Sequence, residues 1–227
     1  MKLKESKLLS SIKGVTHGFS DKYLGDNASQ IGHLLNLSKV TLLKQIHSDN
    51  VVFVDDIATE TARLEGDAIV THLKGCGIAV ATADCVPILL ASNDARMVAA
   101  VHSGWRGTLN EIVVNTVSAV KDRYGIEPEN LKAAIGPCIA SCCYEVGEEV
   151  GSLFSGKYPD TSEYLFEKGQ DKYILDLKTA NELLLKREGV SDIEVLDICT
   201  KCSENYYSYR GDGNGAGRQL SVIGLRQ

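Results

Sequence analysis

Three short segments bring a histidine or a cysteine to a predicted strand end. They are "KQIHSD" with His47, "TADCVP" with Cys85 and "AAVHSGWRG" with His102. Two imidazoles and one thiolate form a ligand set suited to Zn²⁺, with a fourth coordination position free for water, and copper is a softer alternative. Taken singly, such a histidine or cysteine is more often a hydrogen-bonded or packed residue. The spacing alone leaves both interpretations open, and a metal site requires that the three side chains meet.

Two aspartates lie close to these segments in sequence. Asp84 directly precedes Cys85, and Asp67 lies in "EGDAIVT". Either carboxylate could orient a ligand imidazole, as metal sites usually require, or act as a general acid or base. The ordinary alternative for each is an aspartate that caps a turn.

Three arginines are candidates for binding a phosphate or another anion. Arg106 follows His102, and Arg210 and Arg218 bracket the glycine-rich segment "RGDGNGAGR". Glycines let backbone N–H groups approach an anion, and arginine offers a planar fork of donors. A flexible surface loop is the alternative for this segment, and the pattern alone favours it.

The chain has seven cysteines, an odd number in a sequence without a recognisable export signal. That count argues against a disulfide framework. Cys199 and Cys202 form a C-x-x-C, which could serve redox chemistry or a structural zinc site. A second ligand pair would have to come from Cys138, Cys142 and Cys143, whose spacing is irregular. We therefore predict that Cys199 and Cys202 are structural and hold no metal.

The surrounding elements read as strands and helices of one domain spanning residues 1–227. Several strongly apolar runs without clean alternation indicate strands that are covered on both faces: "GIAVATAD", "VPILLAS" and "MVAAVH". After Gly107, "TLNE" has the form of a helix capping box, and apolar residues then recur at helical spacing until Gly125. Asp176 and Gly189 bracket a second helix. The sum predicts an α+β, or mixed α/β, fold.

Composition excludes several classes of protein. The 227 residues are 44% hydrophobic and 24% charged, with a net charge of −6, which is ordinary for a globular domain. An acidic chain lacks the basic surface that general binding to nucleic acid or anionic membranes needs. The N-terminus has no apolar signal-peptide core, and no apolar run is long enough to span a bilayer. We expect a cytoplasmic protein with small-molecule partners.

Four blocks in order identify a family resemblance: "TADCVPILL", "AAVHSGWRGT", "AAIGPCIASCCYEVG" and "YYSYRGDG" with a following Gly-Arg. From about Gln45 to the C-terminus, the chain resembles the YfiH family, known also as the laccase-domain or multicopper polyphenol oxidoreductase family and as peptidoglycan editing factor. The resemblance implies one domain with β-sheets packed between flanking helices, similar to the catalytic domain of cytotoxic necrotizing factor. It also implies metal ligands, usually for zinc, that fall on His47, Cys85 and His102.

The same resemblance implies activity on purine nucleosides. Members are described as phosphorylases of adenosine, inosine and methylthioadenosine and as adenosine deaminases, which makes them transferases and hydrolases. Trp105 and Arg106 would line the pocket, Arg106 and Arg210 would hold phosphate with Arg218 nearby, and Asp84 or Asp67 would move protons. The N-terminal segment "DKYLGDNASQIGHLLNL" keeps Gly25 and Asp26 but is shorter than in the family, so the substrate range could differ.

Three other functions stay open. The first is a metal-independent hydrolase in which Cys85 attacks a carbonyl and His102 is the base. The second is an editing factor that binds cell-wall precursors without nucleoside turnover. The third is copper-dependent polyphenol oxidation, which is the weakest because five histidines are too few for a blue-copper site plus a three-copper cluster.

Overall fold

The structure is a computed structural model that describes residues 3–227. Within that range the chain forms thirteen strands and seven α-helices. The strands are β1 (Val15–Phe19), β2 (Lys39–Thr41), β3 (Val51–Val54), β4 (Ala68–Thr71), β5 (Cys76–Thr82), β6 (Val86–Ser92), β7 (Val98–Ser103), β8 (Leu131–Ile135), β9 (Glu145–Gly147), β10 (Leu165–Gly169), β11 (Lys172–Leu175), β12 (Asp192–Val195) and β13 (Gln219–Leu225). The helices are α1 (Lys7–Ser10), α2 (Ala28–Leu34), α3 (Trp105–Leu109), α4 (Ile112–Tyr124), α5 (Glu148–Lys157), α6 (Leu177–Arg187) and α7 (Tyr209–Asp212).

Two mixed sheets form the centre of the fold. The six-stranded sheet has the order β12-β8-β6-β7-β4-β3, with parallel pairs at both edges and antiparallel pairs between them. The four-stranded sheet has the order β1-β13-β5-β2. A smaller sheet, β10-β11-β9, was not predicted from the sequence. Its strands β10 and β11 are short, and β10 is mostly exposed while β11 is only partly buried, so they lack the apolar runs that marked the others.

The two large sheets pack face to face and helices cover their outer faces. Along β7, Val98 and Ala100 face the four-stranded sheet, whereas Ala99 and Val101 face the cluster that contains α4 and α6. On the far side, Ile31 of α2 packs in a cluster with residues of β5 and β13. The predicted arrangement of β-sheets between flanking helices is therefore confirmed, and the fold is mixed α/β.

Helix boundaries show where local patterns were sufficient. α6 begins after Asp176, whose side chain accepts the backbone N–H of Thr179, and Gly189 follows its end with a φ of +93°. Gly125 ends α4 in the left-handed conformation, as expected. The predicted capping box at Thr108 is wrong, because Thr108 lies inside α3 and its hydroxyl is bonded to the buried side chains of Ser103 and Asn181.

The helices of this fold do not have the properties of membrane-spanning helices. Within residues 3–227 no helix has both the length and the apolar character needed to cross a bilayer. The longest, α4, has 13 residues, which is too short for the roughly 20 residues that a transmembrane helix requires.

A buried histidine gives the fold a predictable response to acid. His17 of β1 is 3% exposed, and its Nε2 accepts the backbone N–H of Ser6 at 2.8 Å. Burial lowers the pKa of His17 in spite of the nearby Glu5 and Glu194. Below pH ~6.5 the unfolded chain therefore binds a proton that the folded chain excludes, and stability falls as the pH falls, by at most about 1.4 kcal/mol per pH unit.

We predict that His17→Gln, which keeps an acceptor for Ser6 but cannot titrate, flattens this dependence between pH 7 and 5. Urea unfolding at several pH values measures the slope. The exposed His33 supplies the matched control, since His33→Gln should leave the slope unchanged. Equal slopes in wild type and His17→Gln would contradict the assignment.

Candidate active site

One end of the six-stranded sheet carries the residues predicted to do chemistry. His47 precedes β3, Asp67 precedes β4, Cys85 precedes β6, and His102 lies near the end of β7. β7 runs antiparallel to both β4 and β6, and β3 is parallel to β4. The beginnings of three strands and the end of the fourth therefore meet at the same sheet edge.

The three predicted metal ligands converge there. The donor atoms of His47, Cys85 and His102 all lie within 4.8 Å of one another. The two imidazole rings stand edge to face, with centroids 4.8 Å apart and an interplanar angle of 81°. His102 is buried, Cys85 is half-buried and His47 is exposed, so the cluster opens toward solvent on the His47 side.

Asp67 is the hydrogen-bond acceptor that holds two of these ligands. It is fully buried, and its Oδ2 accepts the backbone N–H groups of Ile46 at 3.2 Å and Ser48 at 2.6 Å and the Ser48 hydroxyl at 2.8 Å. Its Oδ1 accepts the backbone N–H of His47 at 3.0 Å and lies 2.7 Å from His102 Nδ1. One carboxylate thus fixes the backbone at His47 and the ring of His102.

The hydrogen bonds around Asp67 indicate which atoms of the Asp67–His102 pair carry a proton. Burial alone would raise the pKa of Asp67, but the hydrogen bonds from His102 and Ser48 outweigh it and lower the pKa to about 2. An ionised carboxylate only accepts hydrogen bonds, so His102 Nδ1 carries the proton and Nε2 is left for a metal or for Cys85. Of the two roles predicted for Asp67, the geometry favours the orienting one over acid–base catalysis.

Cys85 and His102 shift each other's proton affinities. Burial would raise the pKa of Cys85, yet the hydrogen bonds from His102 and His47 lower it below its usual value. Burial would lower the pKa of His102, yet Asp67 and Cys85 raise it. Each group therefore favours the charged form of the other, a thiolate beside an imidazolium. The thiolate is the form of cysteine that binds a metal or acts as a nucleophile.

Asp84 positions the backbone that leads into Cys85. Its φ of +93° lies in a region that residues other than glycine rarely adopt. Its carboxylate accepts the Thr200 hydroxyl at 2.6 Å and the backbone N–H of Arg210 at 2.6 Å. Its backbone carbonyl accepts the N–H of Ile139 at 2.9 Å. Asp84 lies in the pocket wall, but its carboxylate already holds the loop after β12 and helix α7 in place.

Gly104 explains part of the "VHSGWRG" sequence. A Cβ at this position would lie 2.9 Å from Cys85 Sγ and 3.3 Å from His47 Cδ2. The residue directly before Trp105 must therefore lack a side chain for His47 and Cys85, the two other predicted ligands, to approach. Next to it, the buried Ser103 hydroxyl donates to Asn181 Oδ1 at 2.8 Å and fixes the turn to α6.

These residues form part of the wall of a pocket of about 590 Å³. The wall contains the three ligands, Asp84 and all four predicted substrate-binding residues, whereas Asp67 lies behind it. The lining residues are Gln45, His47, Ala81, Thr82, Ala83, Asp84, Cys85, His102, Trp105, Arg106, Tyr144, Tyr209, Arg210 and Arg218.

The three arginines differ in how far their guanidinium groups are already bonded. Arg210 lies 5.1 Å from the Tyr144 ring centroid and donates to the Glu145 carbonyl at 2.7 Å. Arg218 donates to the carbonyls of residues 216 and 217. The Arg106 guanidinium stacks 4.3 Å from the Trp105 ring and, among residues 3–227, has no hydrogen bond or ion pair. Arg106 is therefore the arginine most available to an anion.

Sequence reasoning missed three polar residues of the pocket as individual candidates. Gln45 pairs with the backbone of Ala81, donating at 2.9 Å and accepting at 2.8 Å, and so joins the segment before His47 to β5. The Thr82 hydroxyl is buried and, within the described part of the chain, has no hydrogen-bond partner. Burial and the charge of Cys85 raise the pKa of Tyr144 to about 12, so its phenol remains a donor. Thr82 and Tyr144 lie inside the quoted family blocks and Gln45 lies in "KQIHSD", which was the available sequence signal.

A second thiol cluster corrects one sequence prediction. Cys142, Cys143, Cys199 and Cys202 come together with their sulfur atoms within 4.8 Å of one another. The expectation that Cys199 and Cys202 lack a matched second pair is wrong. Sequence spacing could not show this, because the two pairs meet only through the parallel pairing of β8 and β12.

A family comparison agrees with this geometry. The sequence model described as multi-copper polyphenol oxidoreductase laccase matches residues 15–226. The chain belongs to this laccase family. That match covers the whole set of predicted ligands and extends N-terminally beyond Gln45, where the resemblance was first evident.

Relatives in the laccase family carry names of nucleoside enzymes. A purine nucleoside phosphorylase of Clostridium acetobutylicum is 38% identical over 213 residues, which cover 92% of this chain and 87% of the relative. An adenosine deaminase of an unknown prokaryotic organism is 35% identical over 207 residues, covering 86% and 78%. The crystal structure of YlmD from Geobacillus stearothermophilus superposes with a TM-score of 0.87 at 28% identity, covering 98% of this chain and 94% of that one.

The close approach at Gly104 gives a direct test of the laccase-family ligand cluster. We predict that Gly104→Ala weakens zinc binding, because the added methyl group displaces Cys85 Sγ. Overpacking costs about 1–3 kcal/mol, or roughly 5- to 150-fold in affinity if the cost falls on the metal-bound state. Competition with a chromophoric chelator measures it. Gly156→Ala, where a Cβ meets nothing within 4 Å, should bind zinc normally; matching affinities in the two variants would count against the ligand assignment.

The orienting role of Asp67 gives a second test. Asp67→Asn keeps the side-chain volume but places an NH₂ group among donors, so we predict roughly 10- to 100-fold weaker zinc binding, as expected for loss of an outer-shell partner. Asp55, an exposed aspartate outside the site, supplies the control Asp55→Asn. Full zinc affinity in a folded Asp67→Asn protein would show that the carboxylate is not needed to present the ligands.

Proposed function

We propose that this protein is a zinc-dependent purine nucleoside enzyme that cleaves adenosine, inosine and methylthioadenosine with phosphate and deaminates adenosine. The observation that carries the proposal is the convergence of His47, Cys85 and His102 in a pocket with an unpaired arginine, Arg106. The names of the relatives supply the substrate class. We further propose the cytoplasm as its location, where free thiols stay reduced.

The donor set fits zinc. Two imidazole nitrogens and one thiolate are borderline-soft ligands, and three protein ligands with one open position characterise catalytic zinc sites. The Asp67–His102 hydrogen bond of 2.7 Å supplies the outer-shell partner that such sites usually have. When bound, zinc would supply a Lewis acid that polarises a substrate oxygen or a water molecule. Copper fits the same three ligands, because two histidines and one cysteine also form copper sites.

The pocket suits a nucleoside in size and chemistry. Its volume of about 590 Å³ falls in the range of small-molecule sites. Trp105, Tyr144 and Tyr209 offer aromatic surfaces for a purine, and such stacking is favourable. The unpaired Thr82 hydroxyl and the protonated Tyr144 phenol are available to hydroxyl groups of a ribose or nitrogens of the base. A buried hydroxyl without a partner costs free energy that a bound ligand would recover.

Phosphorolysis requires an anion site beside the sugar. A phosphate oxygen bonds to C1′ while the C1′–N9 bond breaks, and the bonding electrons leave with the purine. Arg106 would hold the phosphate, because its guanidinium is anchored on Trp105 and has no hydrogen bond to any other residue in the range 3–227. A bidentate arginine–phosphate contact also orients the attacking oxygen. Tyr144 could donate a proton to the departing base.

Deamination requires different groups from the same pocket wall. Water adds at C6 of adenine and ammonia leaves, so protons must move between the oxygen and the amino group, but no phosphate takes part. Asp84 is the carboxylate of the pocket wall and therefore the proposed proton carrier. Asp67 is assigned to orienting His102, since it lies behind the wall and its oxygens already accept five hydrogen bonds.

A metal-independent hydrolase is the second candidate function, and one specific observation favours it. Cys85, His102 and Asp67 form a chain of nucleophile, base and orienting carboxylate, the arrangement found in cysteine and serine hydrolases. His47 argues against it, since a nucleophilic thiolate has no need of a second imidazole. Polyphenol oxidation by several coppers is disfavoured, because His17 and His33 lie away from the site and His72 pairs with Asp55.

The deciding experiment combines anaerobic metal analysis with adenosine turnover in the presence and absence of phosphate. One zinc held by His47, Cys85 and His102, together with phosphate-dependent release of adenine, supports the proposal. A metal-free protein that hydrolyses esters or amides supports the hydrolase. Absence of nucleoside turnover, with binding of a UDP-muramoyl compound, would instead support a cell-wall editing function.

Arginine variants should separate the two proposed reactions. Loss of a charge-assisted hydrogen bond of about 1.5–3 kcal/mol predicts that Arg106→Ala raises the phosphate KM and lowers kcat/KM for phosphorolysis roughly 10- to 150-fold, with a smaller effect on deamination. Arg210→Ala should act in the same direction but less, because its guanidinium already bonds Glu145. Steady-state kinetics with varied phosphate measures both.

Two further variants complete this test. Cys85→Ala should abolish both reactions, because it removes a metal ligand. Arg96→Ala, which removes an exposed arginine paired with Asp94 outside the pocket, should leave both reactions unchanged. Equal loss of phosphorolysis and deamination in Arg106→Ala would mean that this residue holds the nucleoside or the fold rather than phosphate.

A further inference from the structure

Four thiols meet at the surface on one side of the pocket. Cys142 and Cys143 lie in the loop that follows β8, and Cys199 and Cys202 lie in the loop that follows β12. The sulfur of Cys202 is 3.6 Å from that of Cys142 and 3.3 Å from that of Cys143, and the sulfurs of Cys142 and Cys143 are 3.7 Å apart. All four are free cysteines.

These separations match a single tetrahedral ion. Metal–sulfur bonds of about 2.3 Å in a tetrahedral site place the four sulfurs about 3.8 Å apart. The observed distances of 3.3 to 3.7 Å, with all four sulfurs within 4.8 Å of each other, are close to that value. We infer that Cys142, Cys143, Cys199 and Cys202 bind one Zn²⁺ in a closed site of four thiolates, separate from the His47–Cys85–His102 cluster.

The chemistry of the ligands favours zinc over other metals. A tetrahedral set of four sulfurs selects zinc or iron–sulfur chemistry. The sulfurs surround space for one ion, whereas a polynuclear cluster would have to push them apart. A site with four protein ligands has no open position, so its role is structural.

The backbone around the thiols holds the two loops together before any metal binds. Cys138 and Cys199 form a parallel bridge, in which the N–H of Thr200 donates to the Cys138 carbonyl at 2.9 Å. The N–H of Ala140 donates to Cys199 Sγ at 3.5 Å, a contact that stabilises a thiolate. The N–H of Ser203 donates to the Cys199 carbonyl at 3.1 Å and closes the turn of the C-x-x-C. The ligands are thus preorganised, which lowers the entropic cost of binding.

An ion bound at this site would also affect the pocket, because the two loops that carry the thiols lead into the pocket wall. Cys143 is followed by Tyr144, a residue of the pocket wall, and Cys199 is followed by Thr200, whose hydroxyl holds Asp84. Asp84 in turn accepts the backbone N–H of Arg210. An ion that ties the two loops together would restrain this wall from outside. The inference about metal binding itself does not rest on the proposed nucleoside activity.

Metal stoichiometry of matched variants tests the inference. Wild-type protein, reduced, loaded with zinc and desalted, should hold two equivalents. Cys199→Ser/Cys202→Ser and Cys142→Ser/Cys143→Ser should each hold one, Cys85→Ala should hold one, and a combination of Cys85→Ala with either pair none. Cys76→Ala, a buried cysteine of β5 outside both clusters, should keep two. Unchanged zinc content in folded variants of both pairs would overturn the inference, whatever the fate of the nucleoside activity.

A measurement on wild-type protein covers the case in which the variants do not fold. Alkylation followed by mass spectrometry should show Cys142, Cys143, Cys199 and Cys202 protected in the zinc-loaded protein and modified together after chelation. X-ray absorption of a Cys85→Ala protein, in which only the second site remains, should show a zinc shell of sulfur alone. Equal alkylation of the four cysteines with and without zinc, or a shell of nitrogen and oxygen, would refute the tetrathiolate site.

Discussion

The buried carboxylate of Asp67 is the constraint on which the rest of the site depends. Removing a charge from water costs several kcal/mol unless it is fully paired, and five hydrogen bonds supply that pairing. Oδ1 accepts from both the His47 backbone and the His102 ring, so one oxygen fixes the relative position of two ligands. These hydrogen bonds hold the backbone of His47 at a φ of +59°, in the left-handed region that residues other than glycine rarely adopt.

A second constraint fixes the backbone at the third predicted ligand, Cys85. Asp84 adopts a φ of +93° immediately before Cys85, a strain of the order of 1–3 kcal/mol. Its bonds to Thr200 and to the Arg210 backbone offset that strain and couple Cys85 to the loop after β12 and to α7. The cluster of predicted ligands is therefore assembled between two aspartates. Asp67 orients two of its members, and Asp84 fixes the backbone before Cys85 in addition to its proposed role in proton transfer.

Local patterns predicted most of the elements and marked His47, Cys85 and His102 as candidates. The family resemblance made these three the predicted ligands, but neither signal gave the contacts that depend on strand order. The apolar spacing of α4 and the caps at Asp176 and Gly189 were readable because each involves neighbours in sequence. Thr108 was misread as a cap, because its hydroxyl is satisfied by Asn181, 73 residues away. Tyr144 and the pairing of Cys142 and Cys143 with the C-x-x-C depend on β8 lying beside β12, and no periodicity reveals that neighbour.

The same sheet edge explains why the chain has two thiol clusters of different character. The ends of β8 and β12 lie beside the beginning of β6 and the end of β7, so both clusters arise at one edge. The His47–Cys85–His102 cluster mixes nitrogen with sulfur and opens into the pocket, as chemistry requires. The four-cysteine cluster is all sulfur, with Cys142 and Cys202 exposed, so an ion can enter it without opening the pocket. Metal on the outside of the wall would then limit how far Asp84 and Tyr144 move while the inner site works.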